Sequence, residues 1–179
     1  FYGPKLDVQM KNVNGKEDSI ATVQVDVLVP GRMELTYVDS EGKRVNPIVI
    51  HKSIMGAFER FMGFLLEKTG GDLPFWVVPE QVRVLTINDS VADYVDGITT
   101  ILKDTLLMEP LKYNEVRFSV DDRNESLGKK IKEATELRIP VQLIVGPKDK
   151  EAGEVSIRAK DGESKVKLEG LKDFLLNFK

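Results

Sequence analysis

The hydrophobic pattern of the first part of the chain predicts a small antiparallel sheet. Between residues 19 and 29, valines alternate with polar side chains, which is the two-residue period of a half-buried β-strand. Two further strands are expected at 33–38 and 45–50, joined by a turn at 39–42. The polar face of the first strand carries Thr22, Gln24 and Asp26. The valine face is therefore expected in a core, and the polar face against solvent or a ligand.

After this sheet the hydrophobic period becomes helical. Apolar residues recur at helical spacing over 53–69, so the pattern predicts an amphipathic helix with Ser53 as its N-cap. The face opposite the apolar stripe carries Gly56, Arg60 and Gly63 nearly in line. Glycines beside an arginine leave room for a phosphate to reach the guanidinium, whereas an ion pair on the helix surface is the alternative role for this arginine.

Beyond this helix the pattern indicates a connector and a second domain. Two prolines stiffen residues 72–80, and the domain boundary is placed after residue 78. Strands are predicted at 82–87, 115–120, 141–145 and 154–158, and helices at 89–105, 125–137 and 168–178. The fold class is therefore α/β: an α+β first part over residues 1–78, then a domain over 79–179 with a mostly parallel mixed sheet and three helices.

The composition of the chain limits the classes of partner that it can bind. Lys and Arg number 26 and Asp and Glu 29, so the formal net charge is −3, which excludes binding of nucleic acid through bulk positive charge. There is no cysteine, and no apolar stretch is long enough to span a bilayer, so we expect an intracellular protein without a membrane partner. The chain begins with Phe1 and no leader precedes it, which suggests a piece of a longer protein.

Two groups of residues carry candidate chemistry besides the arginine. His51 is the only histidine; it is either a structural group at a strand end or at most one ligand of a metal. The acidic run before the predicted helix at 125–137 is followed by lysines. This pattern is typical of a solvated helix N-terminus; alternatively Asn124 reads a base of single-stranded RNA while the lysines hold phosphates.

Several segments of the chain resemble segments of threonyl-tRNA synthetases and occur in the same order. Residues FYGPKLD (1–7), TVQVD (22–26) and PIVIHKSIMGAFERF (47–61) are similar to the end of their catalytic core. Residues FWVVPEQV (75–82) are similar to the junction with their anticodon-binding domain, and the likeness continues through DRNE (122–125) and from Gly146 to Gly153. The resemblance implies part of the class II antiparallel sheet with its third-motif helix, followed by an anticodon-binding domain.

This resemblance implies a set of roles for individual residues. Arg60 would hold the phosphates of ATP, Gln24 and Lys5 would face the substrates, and His51 would be the third ligand of a zinc ion. Anticodon-reading positions would be Asn124, Lys132, Asp149 and Arg158, where Lys132 replaces a usual arginine and Asp149 a usual glutamate. The expected cofactors are ATP with magnesium, and zinc in the full-length enzyme.

The implied function is ligation of threonine to its tRNA in the cytoplasm by a homodimer. The partners would be threonine, ATP and threonine tRNA, and we expect the 179 residues alone to be inactive and to hold zinc weakly. One alternative is a non-catalytic paralogue that only binds or edits tRNA. Another is a prolyl, histidyl or glycyl synthetase, against which the histidine at position 51 argues, because those enzymes need no zinc ligand there.

Overall fold

The computed structural model of the chain describes residues 2–105 and 115–178. It divides into two compact units, Phe1–Asp72 and Leu73–Lys179. The division lies at Asp72/Leu73, whereas the sequence predicts the boundary after residue 78. In the described ranges, no helix is long and apolar enough to cross a membrane.

The first unit is built on a three-stranded antiparallel sheet. Its elements are β1 (Lys5–Lys11), β2 (Glu17–Asp26), α1 (Val29–Arg32), β3 (Tyr37–Val38), β4 (Arg44–Val45), β5 (Val49–Ser53) and α2 (Phe58–Thr69). The strand order of the main sheet is β1-β2-β5, and β3 pairs with β4 in a separate hairpin. The sequence pattern missed β1, and of its predicted strand at 33–38 only Tyr37–Val38 is a strand, which pairs with β4 and not with β2.

The turn after β2 explains why the strand ends before the alternation of valines does. Asp26 Oδ1 accepts hydrogen bonds from the backbone N–H groups of Leu28, at 3.0 Å, and Val29, at 2.9 Å. These bonds turn the chain into α1, so Val27 is exposed and does not extend the predicted core face. The apolar face of the sheet likewise exposes Leu6 and Ile50.

The start of the helix differs from the sequence prediction. Ser53 is the last residue of β5, and α2 begins only at Phe58, with Ala57 as its N-cap. Gly56 lies between them with φ +60°, and a side chain there would place its Cβ 3.0 Å from the carbonyl oxygen of Ile20. The chain therefore needs a glycine in this bend, and Ser53 cannot cap the helix.

The second unit has a five-stranded mixed sheet. Its elements are β6 (Val82–Thr86), a 3₁₀ turn (Asp89–Val91), α3 (Ala92–Lys103), β7 (Phe118–Asp121), α4 (Leu127–Glu136), β8 (Val141–Val145), α5 (Pro147–Ala152), β9 (Glu154–Ala159), β10 (Gly162–Lys167), a second 3₁₀ turn (Leu168–Gly170) and α6 (Leu171–Asn177). The strand order is β10-β9-β8-β6-β7. β6 runs parallel to β7 and β8, whereas β9 is antiparallel to β8 and β10. The α/β class is confirmed.

Two elements of this unit were not predicted, the short α5 and the strand β10. The sequence of β10, GESKVK, has a single apolar residue, and five of its six positions are exposed. An exposed edge strand that carries charged side chains lacks the apolar alternation by which strands are recognised. With this additional antiparallel strand, the mixed sheet has two parallel and two antiparallel pairings.

The connector packs onto the second unit. Phe75 belongs to its hydrophobic core, where its ring lies edge-on to that of Phe178, with centroids 5.0 Å apart. The side chain of Gln81 is fully buried; its Nε2 donates to the carbonyl oxygen of Phe75, and its Oε1 accepts from the N–H of Arg117. The guanidinium of Arg117 donates to the carbonyl oxygens of Trp76 and Val78. These bonds explain why residues 73–78 group with the second unit.

A buried lysine joins α4 to the ends of two parallel strands. Lys130 is only 1% exposed, and its Nζ donates to the carbonyl oxygens of Thr86, at 2.9 Å, and Asp121, at 3.1 Å. Those residues end β6 and β7. The ammonium group therefore satisfies two strand-end carbonyls and fixes the loop that leaves β7.

Replacement of this lysine should destabilise the second unit far more than replacement of its neighbour. Lys130→Met removes the ammonium donor from two strand-end carbonyls, of which that of Asp121 keeps only the hydroxyl of Thr86 as a side-chain donor, at a cost of about 2 kcal/mol. Lys129→Met removes only an exposed ion pair with Glu125, so we expect little change. Urea unfolding followed by the fluorescence of the single tryptophan, Trp76, measures both. Equal midpoints for the two variants would contradict the anchoring role of Lys130.

Candidate functional site

Strand register gathers polar side chains on one face of the three-stranded sheet. Lys5 in β1 lies opposite Gln24 in β2, and Gln24 lies opposite His51 in β5. Directly opposed residues of antiparallel strands project from the same face. Lys5, Gln24 and His51, which we call the polar row, therefore form one line across three strands. All three are residues for which the resemblance implies contact with substrates or zinc.

A second row beside the polar row carries Asp7, Thr22 and Ser53. Lys5 Nζ lies 3.1 Å from Asp7 Oδ1, and this hydrogen bond is the main cause that lowers the pKa of Asp7. The face thus combines an ammonium, an amide and an imidazole with a nearby carboxylate. Such a set can hold the carboxylate, phosphate and amino groups of small polar substrates.

Asp26 is the buried carboxylate of this face. Its side chain is 4% exposed, and Oδ2 lies 3.1 Å from His51 Nε2, while Oδ1 accepts the two backbone N–H groups of the turn. Burial acts to raise the pKa of Asp26, but the hydrogen bonds from Val29, His51 and Leu28 outweigh it and hold the pKa below its usual value. The carboxylate is therefore ionised at neutral pH and can accept a hydrogen bond from His51 Nε2.

Arg60 lies apart from the polar row. It is exposed in the first turn of α2, and its Nη1 donates to the carbonyl oxygen of Ser19 at 3.0 Å. Ser19 is near the start of β2, whereas Gln24 is near its end. The structure thus brings the helix against β2 beside Gly56, and it directs the guanidinium to the strand backbone rather than to Gln24.

The chain supplies at most a fragment of a zinc site. It has one histidine and no cysteine, and within the residues that can be described no group of three or more His, Cys, Asp or Glu side chains could hold a metal. His51 itself fits a metal ligand, because its Nε2 faces a carboxylate and its Nδ1 is the nitrogen left for a metal. Further ligands would have to come from residues outside this sequence.

In the second unit, strand register places Arg158 beside polar side chains of β8 and β10. Gln142, Arg158 and Glu163 form one row across β8, β9 and β10, and Ile144, Ser156 and Lys165 form the next. Arg158 Nη1 donates to Glu163 at 2.8 Å. A cavity of about 360 Å³ lies over these rows, lined by Ile144, Ser156, Ile157, Glu163, Ser164 and Lys165.

Asp149, on α5, is held by three groups, two of which belong to residues that line this cavity. Its Oδ2 accepts from the N–H of Gly146 at 3.0 Å, and its Oδ1 accepts from Ser156 Oγ at 2.8 Å. Lys165 Nζ lies 3.4 Å from the same oxygen. Asp149 is buried, so its carboxylate is fixed rather than free to follow a ligand. We call Asp149, Ser156, Arg158, Glu163 and Lys165 the hairpin cluster.

The sequence analysis missed three members of the hairpin cluster, namely Ser156, Glu163 and Lys165. Glu163 and Lys165 lie on β10, which was not recognised as a strand. The dipeptide Asp161-Gly162 between Arg158 and Glu163 is a hairpin-turn signal and could have revealed it.

Asn124 and Lys132 lie on other elements. Asn124 is exposed in the segment between β7 and α4, and Lys132 is exposed on α4, 3.7 Å from Glu136. The segment that carries Asn124 is fixed by Arg123, whose Nη2 donates to Asp121 at 2.6 Å and to Glu133. The structure therefore holds the neighbourhood of Asn124, but it does not bring Asn124 and Lys132 into the hairpin cluster.

The comparisons with known proteins agree with this division into units. Residues 1–69 match the family described as tRNA synthetase class II core domain (G, H, P, S and T), and residues 81–177 match the family described as anticodon binding domain. The chain therefore belongs to the anticodon-binding domain family, with part of a class II synthetase core before that domain.

The individual relatives are named as synthetases for one amino acid, threonine. The chain is 42% identical over 170 residues to a threonine–tRNA ligase of Staphylococcus saprophyticus, covering 94% of the chain and 25% of the relative. It is 43% identical over 159 residues to that of Staphylococcus aureus, covering 88% and 23%. The RNA-binding domain of threonyl-tRNA synthetase from Cryptosporidium parvum matches 99% of the chain with a TM-score of 0.81 at 27% identity, and 43% of that structure is covered. The resemblance stated from the sequence is confirmed, and the chain spans about a quarter of the length of these ligases.

Acid should weaken the segment before α4 through Asp121. The hydrogen bond from Arg123 lowers the pKa of Asp121, although burial acts to raise it. A carboxyl group whose pKa is lower in the folded state stabilises the fold at pH values above its unfolded pKa of about 3.9. That stabilisation is lost as the pH falls through the lower pKa of the folded state. Asp121→Asn should therefore lose stability at pH 7 and show a smaller further loss below about pH 4 than the parent.

Asp122→Asn is the matched control, because Asp122 is the exposed neighbour. Its urea midpoint should follow the parent at each pH between about 3 and 7. A parallel acid dependence of the parent and Asp121→Asn would show that Asp121 contributes nothing to it.

Proposed function

We propose that the chain is part of a threonine–tRNA ligase, which activates threonine with ATP and transfers it to threonine tRNA. The observation that carries the proposal is the succession of a class II core segment and an anticodon-binding domain in one chain whose relatives are named threonine–tRNA ligases. The polar row supports it, because its members lie together on one sheet face. We further propose a cytoplasmic homodimer.

In the activation step, the residues of the first unit would bind and orient. Arg60 presents a planar set of donors suited to the phosphates of ATP, which is bound with magnesium. Its Nη1 donates to the carbonyl oxygen of Ser19, and the other N–H groups of the guanidinium can serve that contact. Gln24 and Lys5 would hold polar groups of the substrates on the sheet. Fixed donors of this kind stabilise the charge that develops at the α-phosphate during attack by the carboxylate of threonine.

His51 would be one ligand of a zinc ion in the complete enzyme. Zinc supplies a Lewis acid that can bind the amino and hydroxyl groups of threonine. A site built to bind the hydroxyl rejects valine, which lacks it, far better than a difference of shape alone allows.

The second unit would read the anticodon. The hairpin cluster lines one cavity with Ser156, Glu163 and Lys165. The fixed carboxylate of Asp149 and the guanidinium of Arg158 are hydrogen-bonded to those residues, and such a set suits the donor and acceptor edge of an unstacked base. Asn124 and Lys132 would contact neighbouring nucleotides, Asn124 through its amide and Lys132 through phosphate.

Loss of Arg158 should weaken binding of threonine tRNA to the chain. Arg158→Ala removes one base contact, at a cost of roughly 1–3 kcal/mol, or about a 5- to 150-fold weaker affinity. Lys103→Ala removes the same charge from the exposed end of α3 and should leave affinity nearly unchanged. Filter binding with threonine tRNA and with an anticodon-exchanged tRNA measures both. If Arg158→Ala binds threonine tRNA like the parent, the anticodon assignment is wrong.

Arg60 should be required for activation in a ligase-length protein that carries this chain. Arg60→Ala should reduce threonine-dependent ATP–pyrophosphate exchange by about 10²-fold or more. Lys68→Ala, an exposed substitution on the same helix, should leave exchange unchanged. The 179 residues alone should show no exchange. A ligase-length protein that binds threonine tRNA without any exchange would instead be a non-catalytic paralogue.

A further inference from the structure

Asp26 contacts His51, but the proposed function gives Asp26 no role. We infer that Asp26 is a positioning residue, which fixes the tautomer and the ring orientation of His51 so that Nδ1 is the free nitrogen on the polar face. The inference rests on the proposed function only in that a zinc ion is what Nδ1 would bind.

Asp26 is itself rigidly held. It ends β2, its side chain is 4% exposed, and two backbone N–H groups of the following turn bind Oδ1. Asp26 lies opposite Val49 in the register, so His51 is its diagonal neighbour on the same face of the sheet. The turn engages only one carboxylate oxygen, and the other, Oδ2, lies 3.1 Å from His51 Nε2.

The hydrogen-bond geometry of Asp26 decides which nitrogen of His51 carries the proton. Oδ1 already accepts from two backbone N–H groups, so Oδ2 is the acceptor that faces Nε2. Nε2 is thereby placed as the N–H donor, and the neutral ring keeps its lone pair on Nδ1. His51 is 57% exposed, and without this bond its ring would be free to exchange tautomers and to rotate. The bond therefore prepares an exposed imidazole for a ligand, in the way that carboxylates orient metal-binding histidines.

An alternative role for Asp26 is only to cap the turn after β2. Asp26→Asn separates the two roles, because the amide oxygen can still accept from Leu28 and Val29. Its NH₂ group would then face His51 Nε2 and donate to it, which requires the proton to move to Nδ1. The variant should keep the turn and invert the tautomer.

The first test reads the tautomer directly. The chain contains one histidine, so two-bond ¹H–¹⁵N correlation spectra of the labelled 179-residue chain report His51 alone. At alkaline pH the parent should be almost entirely the Nε2–H form, beyond the excess of this form that a free neutral imidazole already shows. Asp26→Asn should be mainly the Nδ1–H form. A parent that shows the two-tautomer mixture of a free imidazole would overturn the inference before any variant is made.

Asp39→Asn is the matched control. Asp39 caps another turn of the same unit, with Oδ1 accepting from the N–H groups of Glu41 and Lys43, but it has no histidine partner. Its His51 spectrum should equal that of the parent. If Asp26→Asn keeps dispersed spectra and also leaves the tautomer of His51 unchanged, the role of Asp26 is confined to the turn.

The second test measures zinc in the ligase-length protein, by competition with a chelator. Asp26→Asn should weaken zinc binding about 10- to 100-fold, whereas Asp39→Asn should not change it. If the parent shows the Nε2–H form but the ligase-length protein holds no zinc, the zinc part of the proposed function fails and the positioning role stands. If zinc is held equally by the parent and Asp26→Asn, the positioning role is wrong.

Discussion

The alignment of β2 with its two neighbouring strands is the constraint on which the candidate chemistry of the first unit depends. Side chains alternate between faces along a strand, so a shift of one residue would move Gln24 to the opposite face from His51. The observed register places Lys5, Gln24 and His51 in one line. The turn that Asp26 closes ends β2 at that residue. The same carboxylate thus ends the strand and contacts the imidazole of the polar row.

In both units, buried polar groups hold exposed ones in place. Lys130 binds the carbonyl oxygens that end β6 and β7, and the segment carrying Asn124 leaves β7 at that point. Asp149 is fixed by Gly146 and Ser156 at the edge of the hairpin cluster. A buried polar group without partners is costly, so each of these groups has one preferred geometry. Each buried group thereby fixes the position of the exposed residues beside it.

Both cations of the hairpin cluster are paired with carboxylates, which agrees with the low net charge of the chain. Arg158 is paired with Glu163, and Lys165 with Asp149, so neither cation presents a free positive field. An RNA face of this kind would select by hydrogen bonds to base edges rather than by release of many counterions. Specificity then depends on the distance and angle of each donor, which the β9–β10 hairpin sets. The RNA contact proposed for this cluster is of this local kind, which a formal charge of −3 allows.

The sequence by itself determined the α/β class, the helical and strand periods of most elements, and the family resemblance. These features depend on the local spacing of residues and on the order of motifs, which the sequence shows directly. It also marked His51 as the single imidazole. Only the tertiary structure decided that Ser53 ends a strand, that GESKVK is an edge strand, and that residues 73–78 pack with the second unit. These outcomes depend on partners distant in sequence, such as Ile20 near Gly56 and Arg117 on the connector. The pairing of Asp26 with His51 is of the same kind, since a residue pattern shows that both are polar but not that strand register places them 3.1 Å apart.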